Sequence, residues 1–178
     1  MTNVHILENT LSTLKSTIPC LNEAFLRSDN AGCYHNAHLI LSLPSLGERV
    51  GVKILRYDFS EPQTGKDVCD RRIATVKSHM RRFVNESSGI DNASKMKRAI
   101  ESYGGVKGCY AAVAEIQESR KRMTKHSMTG ILALNNFHYE PARLRVWKAY
   151  NVGSGKLLTF VQLRKNGVPQ GPAEITLL

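Results

Sequence analysis

Asp29, Asp58, Asp67 and Asp70 are the residues of this 178-residue chain whose type and placement suit metal chemistry. Asp29 ends the apolar run Ala24-Phe25-Leu26 and lies within Ser28-Asp29-Asn30-Ala31-Gly32. That pattern reads as a short buried strand, a tight turn and the start of a helix. A carboxylate at the C-terminal end of such a strand, facing an open crevice, is a common station for a metal ion. The competing role is local, with Asp29 or Asn30 capping the following helix. The other three aspartates follow a second apolar run, Val50 to Leu55, and also precede a helix. Two strand ends that each present carboxylates can hold two divalent cations about 4 Å apart, the arrangement used for phosphoryl transfer to or from nucleic acid. Glu61 lies in the same loop and reads as a surface acid.

Other groups surround these acids. In the loop 60–67, Lys66 and the backbone amides near Gly65 could approach a phosphate. Cys33, His35 and His38 do not fall on one helix face and no CxxC follows, which argues against a zinc site. His35 and His38 do lie in the first turns after Asp29, beside the expected crevice. The helix over about 68–86 carries an apolar stripe of Ile73, Val76, Met80, Phe83 and Val84. Asp70, Lys77 and Arg81 flank that stripe and can line one edge of a groove, whereas Arg72 and Arg82 point elsewhere.

Ser28-Asp29-Asn30-Ala31-Gly32 with Tyr34-His35 resembles the second-acid motif of RNase H-like (DDE/D) transposases and integrases. Phe59-Ser60-Glu61, Gly65-Lys66 and Asp70, followed by a Lys/Arg-rich helix, resemble the third-acid region of transposases encoded by animal mobile elements. Asp29 and Asp70 are 41 positions apart, within the range of that family. The resemblance covers roughly the first half of the chain. It implies the C-terminal half of an RNase H-like catalytic domain, with the family's first acid on an earlier strand, before the helix at which this chain starts. It further implies Asp29 as a catalytic metal ligand and Asp70 as the first choice for another, with Asp67 and Asp58 as rivals. The implied cofactor is Mg2+ or Mn2+, the implied partner DNA, and Lys77 and Arg81 the implied DNA contacts beside the acid. Without the first acid, the chain is expected to be a transposase-derived nucleic-acid-binding remnant that does not cut DNA alone. The alternative is a non-catalytic DNA- or protein-binding module on the same fold.

Composition supports a polyanion partner. The formal net charge is +10, from 25 Lys and Arg against 15 Asp and Glu, which favours nucleic acid over membrane. No apolar run reaches membrane-spanning length, and no signal peptide is evident. Cys20, Cys33, Cys69 and Cys109 are scattered, as reduced thiols of an intracellular protein are, so a nuclear or cytoplasmic location is expected.

The elements that must position the acids are legible as periodicity. Val4, Leu7, Leu11, Leu14 and Ile18 mark an amphipathic helix over 3–17, on which Glu8 is expected to face solvent. A helix over 33–46 should end near Pro44, and residues 50–59 read as a mostly buried strand. A helix over 93–103 should stop at Gly104-Gly105, and Cys109–Ile116 suits a buried strand. Ser119–His126 is a basic linker. Met128–Leu134, Leu144–Tyr150 and Leu157–Leu163 read as three antiparallel strands. By period two, Arg143, Arg145 and Trp147 share one face, and Lys148 and Tyr150 the other. The expected fold is α/β: a partial RNase H-like core (strand-helix-strand-helix) with basic helices over 1–104, then a small antiparallel β unit over 105–178. Removal of upstream strands would leave one edge of Ala24–Ser28 open, which suits a homo-oligomer or a missing N-terminal half as partner.

Overall fold

The computed structural model describes residues 2–60, 68–86, 89–116, 128, 130–163 and 175–177. In chain order the elements are α1 (Thr2–Thr17), β1 (Glu23–Ser28), α2 (Ala37–Val50), β2 (Lys53–Phe59), α3 (Val68–Glu86), α4 (Ala93–Glu101), β3 (Ala114–Ile116), β4 (Asn136–Glu140), β5 (Arg143–Trp147), β6 (Lys156–Thr159), α5 (Phe160–Leu163) and β7 (Ile175–Leu177). They fall into two compact units. Met1–Thr64 groups with Ser119–Pro172, and Gly65–Glu118 groups with Ala173–Leu178.

The first unit is a five-stranded mixed sheet in the order β1-β2-β4-β5-β6. β1 and β2 run parallel, joined through α2, and β2, β4, β5 and β6 pair antiparallel. The chain is therefore α/β. The antiparallel strands expected as a separate unit over 105–178 instead extend the sheet begun by β1 and β2. Phe137 and Tyr139 are the reason. They alternate with Asn136, His138 and Glu140, so β4 buries an apolar face continuous with Tyr57 and Phe59 of β2. Residues of α1 and α2 complete that core, with Ile40, Leu43, Leu46, Phe137 and Leu144 shielded entirely.

Several boundaries differ from the sequence reading, each for a local reason. Pro44 does not end α2, which continues to Val50 and stops at Gly51 in the left-handed region (φ 72°). Gly47 lies against the chain entering β2, where a Cβ would meet the Val52 carbonyl at 2.6 Å, so the close approach of α2 to β2 requires glycine. Ile131–Ala133 forms a 3-10 turn after the left-handed Gly130, so the apolar run before β4 is not a strand. β5 ends at Trp147, and the run after Leu157 turns helical at Phe160. The strand expected over 109–116 is confined to Ala114–Ile116, which pairs with β7. Glu8 is not a solvated acid. Arg49 donates to its two carboxylate oxygens at 2.6 and 3.0 Å, joining α1 to α2 and holding the Glu8 carboxyl below its usual range.

In the second unit α3 packs against α4, with no residue of α3 buried. The His79 ring nitrogen meets the Ser102 carbonyl at 2.9 Å, and the Arg82 guanidinium lies 4.1 Å from the Tyr103 ring centre. The expected apolar stripe is divided. Val76, Met80 and Phe83 are half-buried, whereas Ile73 and Val84 are exposed.

Candidate nucleic-acid interface and acidic turn

Asp29 follows β1 directly, is exposed, and accepts a hydrogen bond from the Ala31 amide at 3.3 Å. Its carboxylate thus closes an Asx turn, whereas the helix cap expected of Asp29 or Asn30 is supplied by Asn36. The turn is anchored by what comes next. The Asn30 side-chain oxygen bonds the His35 ring, and the Asn36 side chain caps α2 through the Leu39 amide at 2.9 Å. His35 stacks on Phe59 at 4.1 Å and is only 2% exposed. It is a core histidine under the turn. Burial lowers its pKa from the ordinary 6.5, and the nearby Leu134 and Ile131 carbonyls offset only part of that. Tyr57 shares the inward side, its hydroxyl 2.9 Å from that of Ser28 and pushed by burial up to about 12.

Asp58 is held within the sheet. By strand alternation it shares the outer face of β2 with Arg56 and lies opposite Tyr57 and Phe59. Its two oxygens accept from Arg56 Nε at 2.7 Å and Asn136 Nδ2 at 2.8 Å. Each of its carboxylate oxygens therefore already carries one donor within the sheet. Asp70 stands in the first turn of α3 and belongs to the second unit, whereas Asp29 belongs to the first. Asp67, Glu61 and Lys66 lie outside the described residues. Among the described residues no three His, Cys, Asp or Glu side chains converge on one point.

Of the three residues expected along one groove edge, Lys77 and Arg81 share a groove on α3, and Asp70 is not in its lining. Both are exposed, one turn apart, and line one shallow groove on α3 with Met80, Val84 and Asn85. Arg82 turns the other way, pairing with Glu86 at 2.9 Å. Lys95, on α4, is held by Asp91 at 2.7 Å.

The outer face of the five-stranded sheet carries a group that the strand-by-strand reading missed. Arg56 of β2 lies between two rings, 5.3 Å from the Phe25 centre and 3.9 Å from the Tyr150 centre, and Tyr150 is 5.4 Å from Trp147. Tyr150 reaches Trp147's side because β5 ends at Trp147 and the following turn does not keep the alternation. Trp147 is nearly covered by the returning loop: its Nε1 donates to the Gly153 carbonyl, and a Cβ at Gly155 would meet the ring at 2.6 Å. Phe25 and Tyr150 stay exposed, at 62% and 48%. The signal available in sequence was Phe25 and Arg27 alternating with Ala24 and Leu26 on a strand.

The chain belongs to the family described as a domain of unknown function, DUF8701, whose profile matches residues 2–139. No curated protein and no solved structure matches it. No described helix is long and apolar enough to cross a membrane.

Proposed function

We propose that this DUF8701 chain is a transposase-derived nucleic-acid-binding protein that contacts the phosphate backbone through α3. The observation that carries this reading is the pairing of exposed Lys77 and Arg81 along one groove of a helix with no buried residue. Lysine supplies a point charge and arginine a planar fork, a combination suited to neighbouring phosphates. The charge of +10 gives such contacts a long-range attraction. The parallel β1-α2-β2 unit, with Asp29 at its strand end, supports an RNase H-like origin.

Two observations favour the non-catalytic form of this reading. Asp29 is used by its own turn, and Asp58 is used by Arg56 and Asn136. In a catalytic form, Asp29 and Asp70, with Asp67 as rival, would take Mg2+ or Mn2+, which would activate water or a 3′-hydroxyl. Binding that serves DNA recognition alone needs neither ion.

The test is titration of the chain with duplex DNA across a salt series. Affinity should fall steeply and linearly on logarithmic axes, with little dependence on sequence. Lys77→Glu with Arg81→Glu should weaken binding about tenfold more than Lys95→Glu with Lys97→Glu. Equal losses from the two pairs would mean a diffuse charge effect and would remove the α3 groove from the reading.

A further inference from the structure

Among the described residues β1 ends the sheet, with β2 as its one neighbour. The Asn22 carbonyl accepts from the Lys53 amide and the Ser28 carbonyl from the Ser60 amide. The register shifts between Ala24 and Phe25, where Ala24 pairs with Ile54 and Phe25 with Arg56, so the extra residue, Leu55, lies on β2. The alternation along β1 itself continues, as its alternating exposure shows, and its even residues bond to β2. The backbone amides and carbonyls of Glu23, Phe25 and Arg27 therefore face the open side.

We propose that the chain forms a two-fold dimer in which β1 pairs antiparallel with β1 of a second copy, centred on Phe25. In that register Glu23 stands opposite the partner's Arg27, Phe25 opposite the partner's Phe25, and Arg27 opposite the partner's Glu23. These are the residues whose backbone groups face outward, so each pair exchanges both of its hydrogen bonds. The side chains fit the same register. On the outer face, two ion pairs flank two aromatic rings that are now 62% exposed. On the inner face Ala24 meets the partner's Leu26, and both already pack on the core cluster.

Other registers fail. Parallel pairing sets Glu23 against Glu23 and Arg27 against Arg27. A slip of one residue sets the outward backbone groups of one copy against residues of the other that bond to β2, and a slip of two sets Phe25 against a charge. Charges on an edge strand commonly block pairing. Here they have opposite sign at symmetric positions, which makes the edge self-complementary. The result is an isologous interface, the commonest kind in soluble oligomers. It is independent of the nucleic-acid reading above.

Sedimentation velocity of the full chain over concentrations from about 1 to 100 µM tests this, because a two-stranded seam of this size gives a reversible dimer. Arg27→Glu, which opposes two pairs of like charges, should weaken the dimer by about tenfold or more, and Glu23→Arg should do the same. Glu23→Arg combined with Arg27→Glu restores opposite charges and should return the dimer to within about threefold of the parent. Should either single variant misfold by circular dichroism, the other enters the same cycle. Phe25→Pro removes an amide that faces the open edge, so it should abolish the dimer and leave the β1–β2 pairing intact. A chain that stays monomeric throughout the range overturns the proposal. So does a dimer in which the double variant recovers nothing relative to either single variant.

Discussion

The Tyr139 hydroxyl donates to the Ile40 carbonyl at 2.9 Å, and that carbonyl is the one Pro44 leaves unpaired. In an α-helix the amide at position 44 would bond to the carbonyl at 40, but proline has no amide hydrogen. Tyr139, on β4, supplies the missing donor from across the core. This is why α2 runs through Pro44 to Val50. Tyr139→Phe should cost about 1–3 kcal/mol, because it strands a buried carbonyl. Pro44→Ala in that background restores the helical amide and should recover much of the loss. Urea denaturation of the two single variants and the double gives the coupling. Additive losses would show that the bond does not substitute for the helical one.

The proline illustrates what could be read in the sequence and what could not. Periodicity located α1, β1, α3 and α4 to within a residue or two, because each shows its own pattern of spacing. The end of α2 depended on Tyr139, 99 positions beyond Ile40 along the chain, and no local rule contains that partner. The joining of β4 to β2 depended on matching apolar faces across a separation of about eighty residues. The acids divide in the same way. Asp29 was recognisable as a strand-end carboxylate, with capping as the rival role. The engagement of Asp58 by Arg56 and Asn136 needed the side-chain alternation of β2 and its pairing with β4.

Acid should loosen the first unit before its carboxylates titrate. Burial lowers the pKa values of both His35 and His5 from the ordinary 6.5. Below that value the unfolded chain takes up protons that the folded chain refuses. Stability is therefore full above about pH 6.5 and falls as pH drops towards the folded-state values. The Glu8 contribution has the opposite origin. Arg49 lowers its pKa, so that contribution persists above the ordinary 4.5 and is lost only as pH falls through the folded value. The interval between about pH 6.5 and 5 thus isolates the histidines. Urea midpoints should decline across it, and His35→Phe, which keeps a ring against Phe59, should flatten the decline. An unchanged slope in His35→Phe would assign the effect to His5 or elsewhere.

The two roles open to Asp29 make opposite demands on its charge. An Asx turn needs one oxygen to accept from the Ala31 amide, and asparagine supplies that oxygen as well as aspartate does. A site for divalent ions needs the negative charge, which asparagine lacks. Asp29→Asn should therefore leave stability unchanged, whereas Asp29→Ala should lose about 0.5–1 kcal/mol, the scale of a lost capping bond. If the turn is the whole role, Mg2+ or Mn2+ should leave the melting temperatures of the parent, Asp29→Asn and Asp70→Asn unchanged, because an ion stabilises only a state it binds. Nicking of supercoiled plasmid should be absent from all three. A Mn2+-dependent rise in the parent that both substitutions abolish, accompanied by nicking, would establish the acids as ligands and the turn as secondary.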